Sequence, residues 1–95
     1  MVFVEVTVVR VRVKVFGELV DRLPKQFEVE IEGGSSLKRL IERLIASADI
    51  PIHTILYNPK LTTLINGRNI LTLEGLATPL KNDDIVTFIP LVVGG

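Results

Sequence analysis

A chain of 95 residues that is 47% hydrophobic and 23% charged has room for a single core, which excludes a second domain and a wholly disordered polypeptide. Eleven basic residues balance eleven acidic ones, so no net field draws in a phosphate backbone or anionic lipid, and neither nucleic acid nor membrane is expected as a partner. The absence of cysteine removes disulfides, a thiol nucleophile and thiolate metal sites; a cytoplasmic location follows by default.

Residues 1–8 open the chain with Val2, Val4, Val6 and Val8 in alternation, and the doublet Val8-Val9 then shifts the phase by one residue. That shift predicts a bulge or a separate short strand, so residues 1–8 read as an N-terminal extension of one domain spanning 1–95. Glu5, Arg10, Arg12 and Lys14 interrupt any signal-peptide core, and no apolar run approaches the roughly 20 residues that cross a bilayer. A soluble, unprocessed N-terminus is therefore expected.

Val9, Val11, Val13 and Val15 alternate with Arg10, Arg12 and Lys14, the pattern of a strand with one buried and one wet face. Phe27, Val29 and Ile31 alternate in the same way with Glu28, Glu30 and Glu32. The opposite charges suggest antiparallel pairing, with Lys14 facing Glu28, Arg12 facing Glu30 and Arg10 facing Glu32. Gly33-Gly34-Ser35-Ser36 then breaks the pattern, and a serine here can cap a helix carrying Leu37, Leu40, Ile41, Leu44, Ile45 and Ala48 on one side. The double glycine lacks the spacing and lysine of a phosphate-binding loop and reads as a turn.

Asp49 to Pro51 ends the helix, and His53 follows in a loop with no second ligand candidate nearby, so no metal site is expected. Leu61 to Ile65, Asn66-Gly67, and Asn69 to Leu73 form a hairpin signature. Leu76 to Leu80 is a connection containing Pro79, and Asn82-Asp83-Asp84 is a polar turn before a last strand, Ile85 to Pro90. In that strand Val86 and Phe88 are assigned to the core and Ile89 to the outside, with Pro90 expected to end the pairing. The order of strands around one amphipathic helix gives an α+β fold, with the helix on one sheet face and the charged face in water.

The chain closes Leu91-Val92-Val93-Gly94-Gly95. Two residues without Cβ can lie extended in a slot too narrow for side chains and carry a terminal carboxylate to a partner's active site; the plainer alternative is a frayed end. Few residues are equipped for nucleophilic or metal-assisted catalysis: His53 and three serines, Ser35, Ser36 and Ser47. No catalytic residue of its own is assigned, and most catalytic groups are expected on a partner.

Leu64-Ile65-Asn66-Gly67, Leu80 to Val86, Phe88-Ile89-Pro90 and the final Gly94-Gly95 together resemble the small subunit of molybdopterin synthase, over roughly residues 9 to 95. The sulfur carrier of thiamine synthesis and the ubiquitin-related modifiers share its fold and diglycine. Leu91 stands where that family often has a second proline, and Asn82-Asp83-Asp84 replaces a glycine-containing turn. The resemblance implies a ubiquitin-like β-grasp fold, a mixed sheet with one main helix on one face, and a flexible tail over 91–95. It further implies that Gly95 is adenylated by an E1-like enzyme and converted to a thiocarboxylate that donates sulfur, with Gly94, Val93 and Val92 threading into the partner. No cofactor is bound by the chain itself; ATP and magnesium would serve the activating partner. The large synthase subunit is the second implied partner. Alternatives are a modifier joined to lysines through Gly95, a carrier for thiamine or tRNA thiolation, or an interaction module whose glycines are only a frayed end.

Phe16 continues the outward phase of Arg10, Arg12 and Lys14, and Ile89 that of Thr87; because the resemblance implies that the first and last strands are neighbours, Phe16, Ile89 and Leu91 are expected to form a small exposed docking cluster near the tail root. The alternative is that Phe16 folds under its own loop into the core.

Overall fold

The computed structural model of the protein describes residues 7–56 and 58–90, apart from the side chains of Glu18 and His53. β1 (Val8–Val15), β2 (Gln26–Glu32), β3 (Leu61–Ile65), β4 (Arg68–Asn69) and β5 (Ile85–Pro90) form one sheet in the order β2-β1-β5-β3-β4, with α1 (Leu37–Ala48) as the main helix. β1 and β5 run parallel in the middle, and the other pairings are antiparallel.

Alternation decides the faces. Val9, Val11, Val13 and Val15 of β1 and Val86 and Phe88 of β5 are buried, together with Leu37, Leu40, Ile41 and Leu44 of α1. Arg10, Arg12, Glu28 and Glu30 occupy the opposite, exposed face. Covering a single face with the apolar stripe of α1 buries Leu37, Leu40, Ile41 and Leu44, with Ile45 partly buried at its edge, while leaving the charges hydrated. The helix starts where Ser36 accepts a hydrogen bond from the Arg39 amide at 3.3 Å. It stops where Asp49 adopts a left-handed conformation, φ 53°, and donates its amide to the Ile45 carbonyl. Its N-terminus is also tied to the approach to β5, because Leu37 N–H donates to Thr78 O and Leu80 N–H donates to Ser35 O.

Three sequence expectations are corrected. Val8 lies within β1 in regular register, Val8 opposite Glu32 and Val9 opposite Ile31, so no bulge separates the doublet. The pairing even reaches Thr7, whose carbonyl accepts from Gly33 N–H at 2.7 Å; residues 1–6, where a separate strand was expected, lie outside the described residues. Second, β1 and β2 pair as expected in direction but two residues away in register: Arg10 faces Glu30, Arg12 faces Glu28 and Lys14 faces Gln26. A slip of two preserves every face, so alternation cannot distinguish the two registers. The connection decides it: a 3-10 turn at Gly17–Asp21 folds Leu19 inward, Leu23 is buried behind it, and Val15 N–H meets the Lys25 carbonyl at 3.0 Å.

The third correction concerns the hairpin. Asn66 and Gly67 have φ of 52° and 81°, as the tight turn requires, but β4 is only Arg68–Asn69 before a 3-10 turn over Ile70–Thr72. The Asn69 side chain accepts the Leu71 amide at 2.9 Å and caps that turn, which takes the backbone out of the strand. His53 belongs to another 3-10 turn, Ile52–Thr54.

Candidate functional site: the root of the C-terminal tail

The residues expected to act, Val92, Val93, Gly94 and Gly95 together with Leu91, lie outside the described residues. What the structure describes is the platform from which they depart. β5 is a central strand: β1 pairs with it on one side, Val15 beside Phe88, and β3 on the other, Leu61 beside Pro90 and Thr62 beside Ile89. Phe88 is fully buried, so the strand is anchored two residues before its end. β5 is thus held by β1 as far as Phe88 and by β3 as far as Pro90, its last residue.

The start of β5 is fixed by side chains that imitate a ladder. The Asn66 side chain accepts the Ile85 amide and donates to Asp84 Oδ1, while Asn82 Oδ1 accepts the Arg10 amide and Asp83 N–H donates to the Arg10 carbonyl. Asp83 takes φ 69° in this turn. The Asn82-Asp83-Asp84 turn therefore docks β5 onto β1 and onto the β3–β4 hairpin at once, the structural meaning of a stretch that the sequence shows only as polar.

At the other end of β5, Phe16 leaves β1 and its amide donates to the Phe88 carbonyl at 3.1 Å. Its side chain is 50% exposed, which rules out the alternative of a core phenylalanine. Phe16 and Pro90 line a common groove of about 280 Å³ with Gly17, Leu19, Lys60 and Leu61 among its walls. Ile89 sits on the open face, half-buried opposite Thr62, and is not a wall of this groove. Of the expected docking residues, Phe16 is thus brought against the tail root through Pro90, Ile89 lies on the neighbouring sheet face, and Leu91 is outside the description. Gly17 and Lys60 were not singled out from the sequence. A glycine ending an alternating strand signals a turn, but its partner Pro90 lies at the far end of the chain, so the contact leaves no local trace.

The charged face forms its own cluster. Arg10 Nε stands 3.6 Å from Glu28 Oε2 and its Nη2 3.5 Å from Glu30 Oε1, with Arg12 Nη2 3.8 Å from Glu28 Oε1. These distances and their exposure describe solvated ion pairs that neutralise the face locally. Among the described residues no group of three acidic, histidine or cysteine side chains could hold a metal ion, and no helix is long and apolar enough to cross a membrane.

A mixed sheet in this order, with one main helix across one face and a central last strand that delivers the C-terminus, defines a ubiquitin-like β-grasp protein. Within that class the chain belongs to the ThiS family, whose model matches residues 13–95. This is a family of ubiquitin-like sulfur carriers and modifiers. Among solved structures, small archaeal modifier protein 1 from Methanosarcina acetivorans superimposes with a TM-score of 0.72 at 27% identity, over 94% of this chain and 99% of that one. A Pyrococcus furiosus protein provisionally named molybdopterin converting factor subunit 1 gives a TM-score of 0.71 at 22% identity, over 88% and 99% of the two chains. A chain in the BexX/CysO complex of Amycolatopsis orientalis gives 0.70 at 20% identity, over 90% and 99%. No curated protein sequence matches the chain.

Proposed function

We propose that this protein is a sulfur carrier whose Gly95 carboxylate is activated by an E1-like adenylating enzyme and converted to a thiocarboxylate, acting as the small subunit of a molybdopterin synthase. The observation that carries the reading is that the sequence of this ThiS-family chain ends in Gly94-Gly95, separated by Leu91-Val92-Val93 from a central strand held on both sides. A carboxylate is a poor electrophile because its oxygen is a poor leaving group. Attack of a Gly95 carboxylate oxygen on the α-phosphorus of ATP expels pyrophosphate and leaves an acyl adenylate. Hydrosulfide from the sulfur source then attacks the acyl carbon and expels AMP, leaving the thiocarboxylate. ATP, magnesium and the groups that stabilise phosphate charge belong to the partner. This chain supplies the acyl group; Gly94 and Gly95, which lack a Cβ, fit the narrow end of the slot, and Val93 and Val92 follow them into the partner.

Incubation with the activating enzyme, ATP and a sulfur source, followed by intact mass measurement, is the test. Replacement of one Gly95 oxygen by sulfur supports the carrier reading, and unchanged mass despite ATP turnover opposes it. Gly94→Ala and Gly95→Ala are expected to block adenylation with unchanged melting behaviour; adenylation at the wild-type rate in both would sink the threading argument.

A second reading is favoured by the Methanosarcina acetivorans neighbour, which is named as a modifier. In it the same activated Gly95 is passed to a lysine amine, forming an isopeptide bond. Extracts probed for lysine-linked forms of the chain separate the two: a ladder of conjugates supports the modifier, a single free species the carrier.

A further inference from the structure

β2 is one edge of the sheet, and among the described residues no strand lies beyond it. Which of its backbone groups meet β1 is fixed by bonds at the two ends of the pairing: Val15 N–H donates to Lys25 O, and Gly33 N–H donates to Thr7 O. Odd-numbered residues of this segment therefore bond to β1, and alternation turns the amides and carbonyls of Gln26, Glu28, Glu30 and Glu32 outward. The Glu32 carbonyl is taken by Ser35 N–H at the following turn. The Glu30 carbonyl accepts from the Arg43 guanidinium of α1 at 2.6 Å, so this edge already attracts a donor. Side chains along the edge are sorted by face. On the open face the outermost column is acidic: Glu28 and Glu30 are exposed, and Glu32, opposite Val8, makes no ion pair with a described residue. On the α1 face Phe27 and Val29 are only partly buried.

We propose that the β2 edge is a docking site for an extended segment of a partner protein in which basic and apolar residues alternate. Such a segment pairs its backbone with the outward groups of Gln26, Glu28 and Glu30 as a further strand. Its basic residues stand beside the glutamates, and its apolar residues cover what remains exposed of Phe27 and Val29. β1 has this alternation from Val9 to Val15 and already pairs with β2 on the other side, Arg10 facing Glu30 and Arg12 facing Glu28. Arg43, long and exposed, gives up its bond to the Glu30 carbonyl when a backbone amide arrives. Charge selects this occupant over a second copy joined through the same edge, because two β2 strands side by side would set glutamate against glutamate. It also selects against residues 1–6, Met-Val-Phe-Val-Glu-Val, which carry an acidic side chain and no basic one. β1 separates this edge from β5, so docking here leaves the tail root uncovered.

The test titrates the isotope-labelled full chain with a capped synthetic peptide of the sequence of residues 9–15, Val-Arg-Val-Arg-Val-Lys-Val, and with the same peptide carrying glutamate at its basic positions. By NMR, the basic peptide should shift the amides of Gln26, Glu28 and Glu30 and protect them from exchange, while those of Phe27, Val29 and Ile31, bonded to β1, stay as they were. At low salt the acidic peptide should bind on the order of tenfold more weakly, and the difference should shrink with added salt. Glu28→Pro removes an outward amide and leaves the β1 ladder intact, so it should keep the fold and lose the peptide. Should it fail to fold, Glu28→Lys combined with Glu30→Lys should reverse the preference between the two peptides. Equal binding of both peptides, or shifts confined to another surface, would overturn the proposal. Binding of neither would do the same, and would leave the glutamates and Arg43 as guards of the edge against association. Protection of Gln26, Glu28 and Glu30 in the chain alone would also overturn it: protection rising with protein concentration assigns the edge to a second copy, and protection independent of concentration assigns it to residues 1–6. Loss of protection at Phe27, Val29 and Ile31 would show the peptide replacing β1 instead of adding to β2, which is equally fatal.

Discussion

The two faces of the central strands are built from residues one position apart and behave as different materials. Toward α1, Val11, Val13, Val86 and Phe88 are fully buried beside Leu37 and Leu40, and burial of each such side chain is worth about 1.5–3 kcal/mol. Away from α1, Arg10, Arg12, Glu28 and Glu30 remain in water at separations of 3.5–3.8 Å, where an ion pair contributes about 0–1 kcal/mol. Stability therefore resides on the covered face, and the open face and the tail root contribute little to it. Phe16, half-exposed beside Pro90, belongs to neither material: a large apolar side chain outside both the core and the charge cluster.

The largest expected effect breaks the covered face. Phe88→Ala should lose about 3–5 kcal/mol in urea denaturation, because the site is enclosed by β1, β3 and α1 residues that collapse only partly around the void. A loss below about 1 kcal/mol would mean that the covered face does not dominate stability. Next come Phe16→Ala and Ile89→Asp, which should weaken binding to the activating enzyme or the large synthase subunit by about 1–2 kcal/mol in titration calorimetry. Their thermal melts should change far less than that of Phe88→Ala, and unchanged affinity in both would show that the tail docks without this surface. The smallest effect is on the charged face. A double-mutant cycle on Arg12→Ala and Glu28→Ala should give a coupling below about 1 kcal/mol that shrinks with added salt. A larger, salt-insensitive coupling would indicate that the open face is covered in solution.

Much of this was legible in the residues because the driving pattern is local. The valines of β1, the Phe27-Val29-Ile31 alternation, the serine cap and apolar stripe of α1, and the burial of Val86 and Phe88 all follow from period and capping. The β1–β2 register was not legible, since two registers two residues apart present identical faces. Nor was the brevity of β4, where one asparagine side chain competes successfully with the ladder. The docking of β5 by Asn66 and Asn82 depends on partners distant in sequence: Arg10 is paired with Asn82, 72 residues away.

The candidate site divides along the same line. By itself the sequence determined the diglycine end, the resemblance to ubiquitin-like sulfur carriers and the outward phase of Phe16, because these are properties of residue type and order. The resemblance implied that the first and last strands are neighbours, as β1 and β5 are; only the tertiary structure decided that β3 flanks β5 on its other side, that Phe16 and Pro90 share a groove, and that Gly17 has no room for a side chain. The physical reason is that alternation records only whether a side chain meets water or the core. Which chain segment stands on the other side of a glycine is set by packing between the beginning and the end of the polypeptide, and no local pattern encodes it.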